Sequence, residues 1–481
     1  MARAPLIGAP LIAAFLACVL ASACSGSSAA PETRAVRVGG DWTRFGYDAA
    51  RRHVGPAATG ITAANVTHLR RQRVSLTGVV DASPIYLRAV TVRGARHDTF
   101  FATTSYGITL AVDADSGRIL WRFTPRRYRS WAGSDRITNS TPVADPNRRF
   151  IYAGAPNGRI YKLAVNTGRV VWSVSITRLP SREKLGTALN YSRGLVLATT
   201  GGYVGDAPPY QGHVAAISAA SGRIVHIWNS LCSNRHVLIA PSSCPESDSA
   251  IWARSGVVVQ PGTGNILVST GNGRFDGRRY WGDSALMLSA TATRLLHNWT
   301  PRNQAELDRH DIDLGSTAPA LLNATRAVQS GKDGLLRLLR LPALGGGRGR
   351  TGGELQTISA PGGSGVFTTI CVSRTRRGVR IFVGNDAGTW SYRLVRGRLH
   401  VAWRAADAGT SPVLAGGLLY VYDPGGGLDV REPSTGKLVT RLPAGGGHWN
   451  SPIVTDGRIA LPEGNANDHR TSGVLDIYRP G

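Results

Sequence analysis

The stretch TSYGITLAVDADSGRILW at 104–121 returns as APNGRIYKLAVNTGRVVW at 155–172, and this recurrence limits what the chain can fold into. Weaker copies are GHVAAISAASGRIVHIW at 212–228 and GGLDVREPSTGKLVTRL at 426–442. Opening strands recur at Ser83-Pro84, Thr141-Pro142, Gly186-Thr187, Ser255-Gly256, Thr317 to Pro319, Thr368-Thr369, Ser411-Pro412 and Ser451-Pro452, which makes eight units. Alternating apolar and polar residues inside each unit predict half-buried strands. Asn-Gly and Asp-Ser-Gly turns predict tight antiparallel hairpins. Helical periodicity of useful length is missing after the first two dozen residues. Four-stranded units repeating at about 40 residues or more predict an all-β, eight-bladed β-propeller of antiparallel blades over 41–481. The last unit, GVLDIYRPG, lacks an outer strand. THLRRQRVSL at 67–76 is expected to supply it, closing the ring and removing the exposed edges.

Arg3 precedes an apolar run from Leu6 to Leu20 and the small residues ASAC at 21–24. That anatomy is a signal peptide over 1–23, the run being shorter than the roughly 20 residues of a spanning helix. Cys24 resembles the lipidated first residue after a bacterial lipobox; a plain secretory signal with an incidental Cys24 is the other reading. The small, polar segment that follows makes 24–40 a flexible tether. The chain is therefore expected to be exported, lipid-anchored at the cell membrane or extracellular. In that compartment Cys232 and Cys244, which bracket SNRHVLIAPSS, would form a disulfide. Cys371, in the apolar run FTTICVS, is expected to be an inert core residue, and zinc-type spacing is absent.

The net charge is +26, with 56 basic residues. The arginines are scattered singly rather than stacked on one face or interleaved with aromatics, which excludes a nucleic-acid partner. Attraction to anionic lipid or wall polymer is a by-product of such a surface.

The unit LxAxDxxTGxxxW resembles the pyrroloquinoline quinone (PQQ) propeller repeat, and the resemblance extends from Trp42 onward. Such repeats occur in quinoprotein dehydrogenases and in a non-enzymatic lipoprotein that scaffolds outer-membrane protein assembly, so fold alone does not choose between them. The stretches at 251–284 and 298–322, followed by GKDG at 331–334, resemble the cofactor half of quinoprotein alcohol dehydrogenases. The resemblance implies that Trp252 is the floor under the quinone and that Asn272, of Thr-Gly-Asn, helps bind Ca²⁺. Gly282-Asp283 and Thr300-Pro301 match family pairs. Asp311 or Asp313 falls where the family has its catalytic base, with Asp313 also a tentative calcium ligand, and Lys332 falls where a cation touches the quinone oxygens.

The chemistry accounts for these residue types. PQQ carries the redox step, so the protein must hold the ring, polarise it and remove a proton. An aromatic floor stacks, Ca²⁺ takes hard oxygen ligands, an Asp accepts a proton and an ammonium stabilises charge on the quinone oxygen. Two family features are missing. The second calcium ligand, a Glu, has no counterpart in TTGGYVGDAPPYQG (199–212), where Tyr203 is nearest and Asp206 lies further along. The adjacent Cys-Cys pair is absent.

Each position also has an ordinary reading. GKDG lies where other units have APNG and NDAG, so Lys332 is also a hairpin-turn residue. Trp252 would serve as a blade-packing aromatic, and Asn272 as a turn residue. Asp311 and Asp313 flank one residue and so share a side of an extended segment. A second polar cluster, His448, Trp449, Glu463, Asn467, Asp468 and His469, falls on loops of the last unit and reads as surface loop. Two functions remain. One is PQQ- and Ca²⁺-dependent oxidation of an alcohol or a polymer hydroxyl. The other is a non-catalytic scaffold for envelope proteins or polymers. A cavity that gathers Trp252, Asn272, Asp311 or Asp313 and Lys332 would favour the first.

Overall fold

A computed structural model describes residues 39–481 apart from 342–343 and 345–348. The expected signal peptide and Cys24 lie outside the described residues.

Eight four-stranded antiparallel sheets follow one another around a ring. In the first blade, Ile85–Val92 pairs with Ala95–Thr103, which pairs with Thr109–Asp113 and then with Ile119–Phe123. Six blades repeat this order. The eighth differs: Ile453–Thr455, Arg458–Glu463 and Gly473–Arg479 take their fourth, outermost strand from Arg70–Leu76. Its register runs from Arg70 opposite Arg479 to Leu76 opposite Gly473. The closing strand occupies most of the predicted stretch, with Val66–His68 forming a 3₁₀ turn before it.

The strands are not all half-buried as the alternation suggested. Middle strands such as Thr109–Asp113 and Leu195–Thr199 are buried at every position, whereas the outer Ile119–Phe123 is partly exposed. A middle strand in a propeller is covered on both faces by neighbouring blades, so small polar side chains such as Thr109 are enclosed with the apolar ones.

The Gly and Trp of the repeat couple successive blades. Trp121 ends the first blade and lies on Gly168 of the second, whose Cβ would sit 2.6 Å from the indole. Its Nε1 donates to the Val165 carbonyl at 2.8 Å. Trp172 lies on Gly222 of the third blade in the same way and donates to the Ala219 carbonyl at 3.2 Å. Any side chain at these glycines would displace the indole.

Cys232 and Cys244 are bonded, with Cα atoms 6.1 Å apart, and both are buried. Cys371 is a buried free thiol whose pKa is raised by burial. Among the described residues no helix is long and apolar enough to cross a membrane; the α-helix Gln304–Arg309 is a single short insertion.

Candidate functional site

A cavity of about 870 Å³ opens at the end of the ring where the chain enters the innermost strands. Entry loops and hairpins of six blades line it, and it gathers all five sequence-predicted positions: Trp252, Asn272, Asp311, Asp313 and Lys332.

Asp313 is the hub. Its Oδ1 accepts from the Asn272 backbone N–H at 2.9 Å and faces Trp252 Nε1 at 3.4 Å; its Oδ2 lies 2.5 Å from Lys332 Nζ. The Gly of Thr-Gly-Asn makes this approach possible, because a Cβ on Gly271 would meet Asp313 Oδ1 at 1.9 Å. Asp283, of the Gly-Asp pair, is buried and accepts from the Leu314 N–H at 3.0 Å, pinning the loop that carries Asp313.

Lys332 is both turn residue and site cation. Its own N–H donates to the Asp313 carbonyl at 2.9 Å, and Gly334 closes the turn on the Gly331 carbonyl. Its ammonium also donates to Asp311 Oδ1 at 2.9 Å and to the Asp311 carbonyl at 3.1 Å. The ammonium lies 5.8 Å from the centre of the Trp252 ring. Burial disfavours its charge, but Asp313 and Asp311 outweigh that and hold the Lys332 pKa above its ordinary value. Burial pushes Asp313 up, with Lys332 and Asn272 pulling the other way.

The segment around Asp311 is not the extended one that the sequence suggested. Asp311 takes a left-handed conformation, φ 54°, and a 3₁₀ turn starts at Leu314. Both carboxylates nevertheless reach Lys332, Asp313 from a buried position and Asp311 from an exposed one.

Asn272 Nδ2 donates to Asp311 at 2.7 Å, while Asn272 Oδ1 is buried without a hydrogen-bond partner. The Trp252 ring and the Lys332 ammonium suit a planar carbonyl compound such as a quinone, and the Asn272 acceptor suits an N–H donor on such a ring. The donor set does not suit calcium. Among the described residues no group of three or more His, Cys, Asp or Glu is arranged to hold a metal, and Asp313 is already neutralised by Lys332.

Several cavity residues carried no sequence signal of their own. Tyr203 and Asp206, the residues nearest the missing Glu in the sequence, both line the cavity. Tyr210 Oη lies 2.8 Å from Asp206 and also touches Asp248; burial raises both carboxyls. One phenolic proton serves only one of them, so the other contact requires a protonated carboxyl. The second polar cluster divides. His448, Trp449 and Asn467 line the cavity. Glu463 instead pairs with Arg71 and Arg73 at the ring closure, and Asp468 and His469 stay exposed. Trp449 and Phe367 add aromatic surface, stacked at 5.3 Å, with Trp449 6.0 Å from Trp252. Lys184 also faces the cavity; burial and Arg254 lower its pKa to about 8.

Its neighbour Glu183 provides a pH test. This carboxyl is buried, and burial raises it from 4.5 to about 7 against hydrogen bonds from Thr177 and the Gln211 N–H. Between those values the native state keeps a proton that the unfolded chain loses, so stability falls as pH rises through the window, by about 3 kcal/mol at most. Denaturant melts at pH 5 and pH 8 should show Glu183→Gln losing distinctly less stability over this interval than the parent.

Comparison with known proteins agrees with this architecture. Residues 105–293 match the family model described as outer membrane protein assembly factor BamB. The dehydrogenase subunit of a quinone alcohol dehydrogenase from Gluconacetobacter polyoxogenes is 25% identical over 197 residues, 36% of this chain and 26% of that protein. Quinohemoprotein alcohol dehydrogenase ADH IIB of Pseudomonas putida is 25% identical over 226 residues, 45% of this chain and 30% of that protein. The matched segments thus span under a third of these curated relatives. Quinohemoprotein alcohol dehydrogenase from Comamonas testosteroni superposes with a TM-score of 0.67 at 15% identity, covering 92% of this chain and 80% of that one. BamB from Moraxella catarrhalis gives 0.54 at 14% identity, covering 85% and 99%. The fold and its repeats define a PQQ-like β-propeller protein. The chain is similar in its repeats to quinoprotein alcohol dehydrogenases and to BamB-like propellers.

Proposed function

We propose that the cavity binds a quinone of the PQQ type and that the protein oxidises a hydroxyl compound outside the cytoplasm, where the Cys232–Cys244 disulfide is stable. The observation that carries this reading is the gathering of Trp252, Asn272, Asp313 and Lys332 at one wall of one cavity, with Asn272 Oδ1 left buried and partnerless.

PQQ, when bound, supplies the two-electron acceptor chemistry. The chain's own residues do the rest. Trp252 offers a face for stacking, and Trp449 and Phe367 narrow the opening beside it. The Lys332 ammonium, held by Asp311 and Asp313, is a fixed positive charge for oxygen atoms that gain electron density. Asp313 orients Lys332 and the Asn272 backbone together and so acts as a positioning residue. Calcium has no step here, because Lys332 already answers the Asp313 charge.

Titration of the purified protein with PQQ, with and without Ca²⁺, tests the reading through tryptophan quenching and retention of the chromophore on gel filtration. Saturable binding with little dependence on Ca²⁺ is expected. Retention of no chromophore under either condition would overturn the reading and move the function to a non-catalytic propeller that binds envelope proteins.

A further inference from the structure

Behind His448, Arg254 and Asn139 of the same cavity lies a second constellation, built on Asp81. This carboxylate is buried at 1% exposure in the loop entering the first blade, among residues that carried no motif. Arg254 Nη2 lies 3.2 Å from its Oδ1, and Asn139 Nδ2 donates to its Oδ2 at 3.1 Å. The Ala466 N–H also reaches Oδ2, at 3.2 Å. Burial alone would raise this carboxyl, but Arg254 and His448 outweigh it and hold Asp81 well below the usual carboxylate range. It is therefore an ionised acceptor.

His448 Nδ1 lies 2.8 Å from Asp81 Oδ2. An ionised carboxylate can only accept, so Nδ1 carries a proton, and it is Nε2 that is left to exchange a proton with the cavity. The ring plane is fixed by stacking on Trp449 at 3.9 Å, and Arg254 lies 4.7 Å from the centre of the Trp449 ring. His448 lines the cavity, and among the described residues Nε2 has no protein partner. Asp313 is the contrast: Lys332 occupies one of its oxygens, while Asn272 and Trp252 occupy the other. Asp311 accepts from both Lys332 and Asn272 through Oδ1, and its side chain is exposed to solvent.

We infer that His448, oriented by Asp81, is the proton acceptor of this cavity, in place of the aspartates beside Lys332. The inference rests on the dehydrogenase reading above. The hydroxyl O–H proton passes to His448 Nε2 while the electron pair of the adjacent C–H bond leaves as hydride for the bound quinone. The alcohol becomes a carbonyl compound, and the two-electron acceptor is reduced. The imidazolium that forms faces ionised Asp81, with Arg254 the only other charged group in contact with the ring among the described residues.

The test uses the full chain loaded with PQQ. His448→Gln, whose amide can still donate to Asp81, should lower kcat about 100-fold or more while leaving the PQQ Kd within about threefold. Asp81→Asn should show a similar loss of kcat, whereas Asp313→Asn should weaken PQQ binding. Independently of turnover, diethyl pyrocarbonate should modify His448 in the parent, with PQQ protecting it. His448→Gln at the parental rate, or a His448 that resists modification without PQQ, overturns the assignment alone. A parent that binds PQQ but oxidises no alcohol overturns the dehydrogenase reading and the proton role together.

Discussion

Deleting residues 70–76 should unfold the whole propeller rather than loosen one blade. The strand Arg70–Leu76 buries Val74 and Leu76 and bonds along its length to Gly473–Arg479. Arg71 Nη2 lies 2.6 Å from Glu463 and 2.8 Å from Asp476, and both carboxylates are buried. Asp476 is already pushed up to about 7 by burial. Without the strand, the burial supplied by Val74 and Leu76, worth about 1.5–3 kcal/mol each, is lost. Stranding buried carboxylates adds about 3–5 kcal/mol. The sum approaches the about 5–15 kcal/mol that hold a typical domain together. Thermal melts and gel filtration should show the deletion variant unfolded or aggregated. Arg71→Met alone should melt clearly lower than the parent. A deletion variant that melts like the parent would show that the ring does not depend on this closure.

Replacing Lys332 should cost both activity and stability. As a solvent-side turn residue it would matter by no more than about 0.5 kcal/mol. The structure gives it another setting: its ammonium is the charge partner of Asp313, which is only 7% exposed. Lys332→Ala should therefore destabilise the protein by about 1–3 kcal/mol at neutral pH, discounted from the cost of a fully buried pair because the lysine is partly exposed. It should also abolish quinone-dependent oxidation. The stability loss should shrink at acidic pH, where protonated Asp313 no longer needs a counter-charge. Lys332→Arg should keep part of both. A Lys332→Ala variant with unchanged melting and undiminished activity would return the residue to the role of a plain turn.

The ring was legible in the sequence because its periodic features have local causes. Gly168 and Trp121 recur at fixed spacing since each blade must dock on the next in the same geometry. The closing strand was legible by subtraction, as the missing fourth strand of the last unit. The Trp252 to Lys332 wall was legible because those residues cluster within the fourth and fifth units, in motif order. Asp81, Arg254 and Lys184 were not, since they meet across the ring from positions without a motif. His448 was visible only as one polar loop residue among six. The fate of Glu463 depended on a partner strand nearly 400 positions away, with 392 residues separating it from Arg71.

Asp81 and His448 are 367 positions apart and sit on either side of the seam where the ring closes. Bringing them together requires closing a very long loop, so their contact has high contact order and belongs to the late events of folding. Trp252, Asn272 and Lys332 come from adjacent blades, so their contacts need no such closure and belong to earlier events. The proton acceptor is thus the part of the cavity that depends most directly on the completed ring.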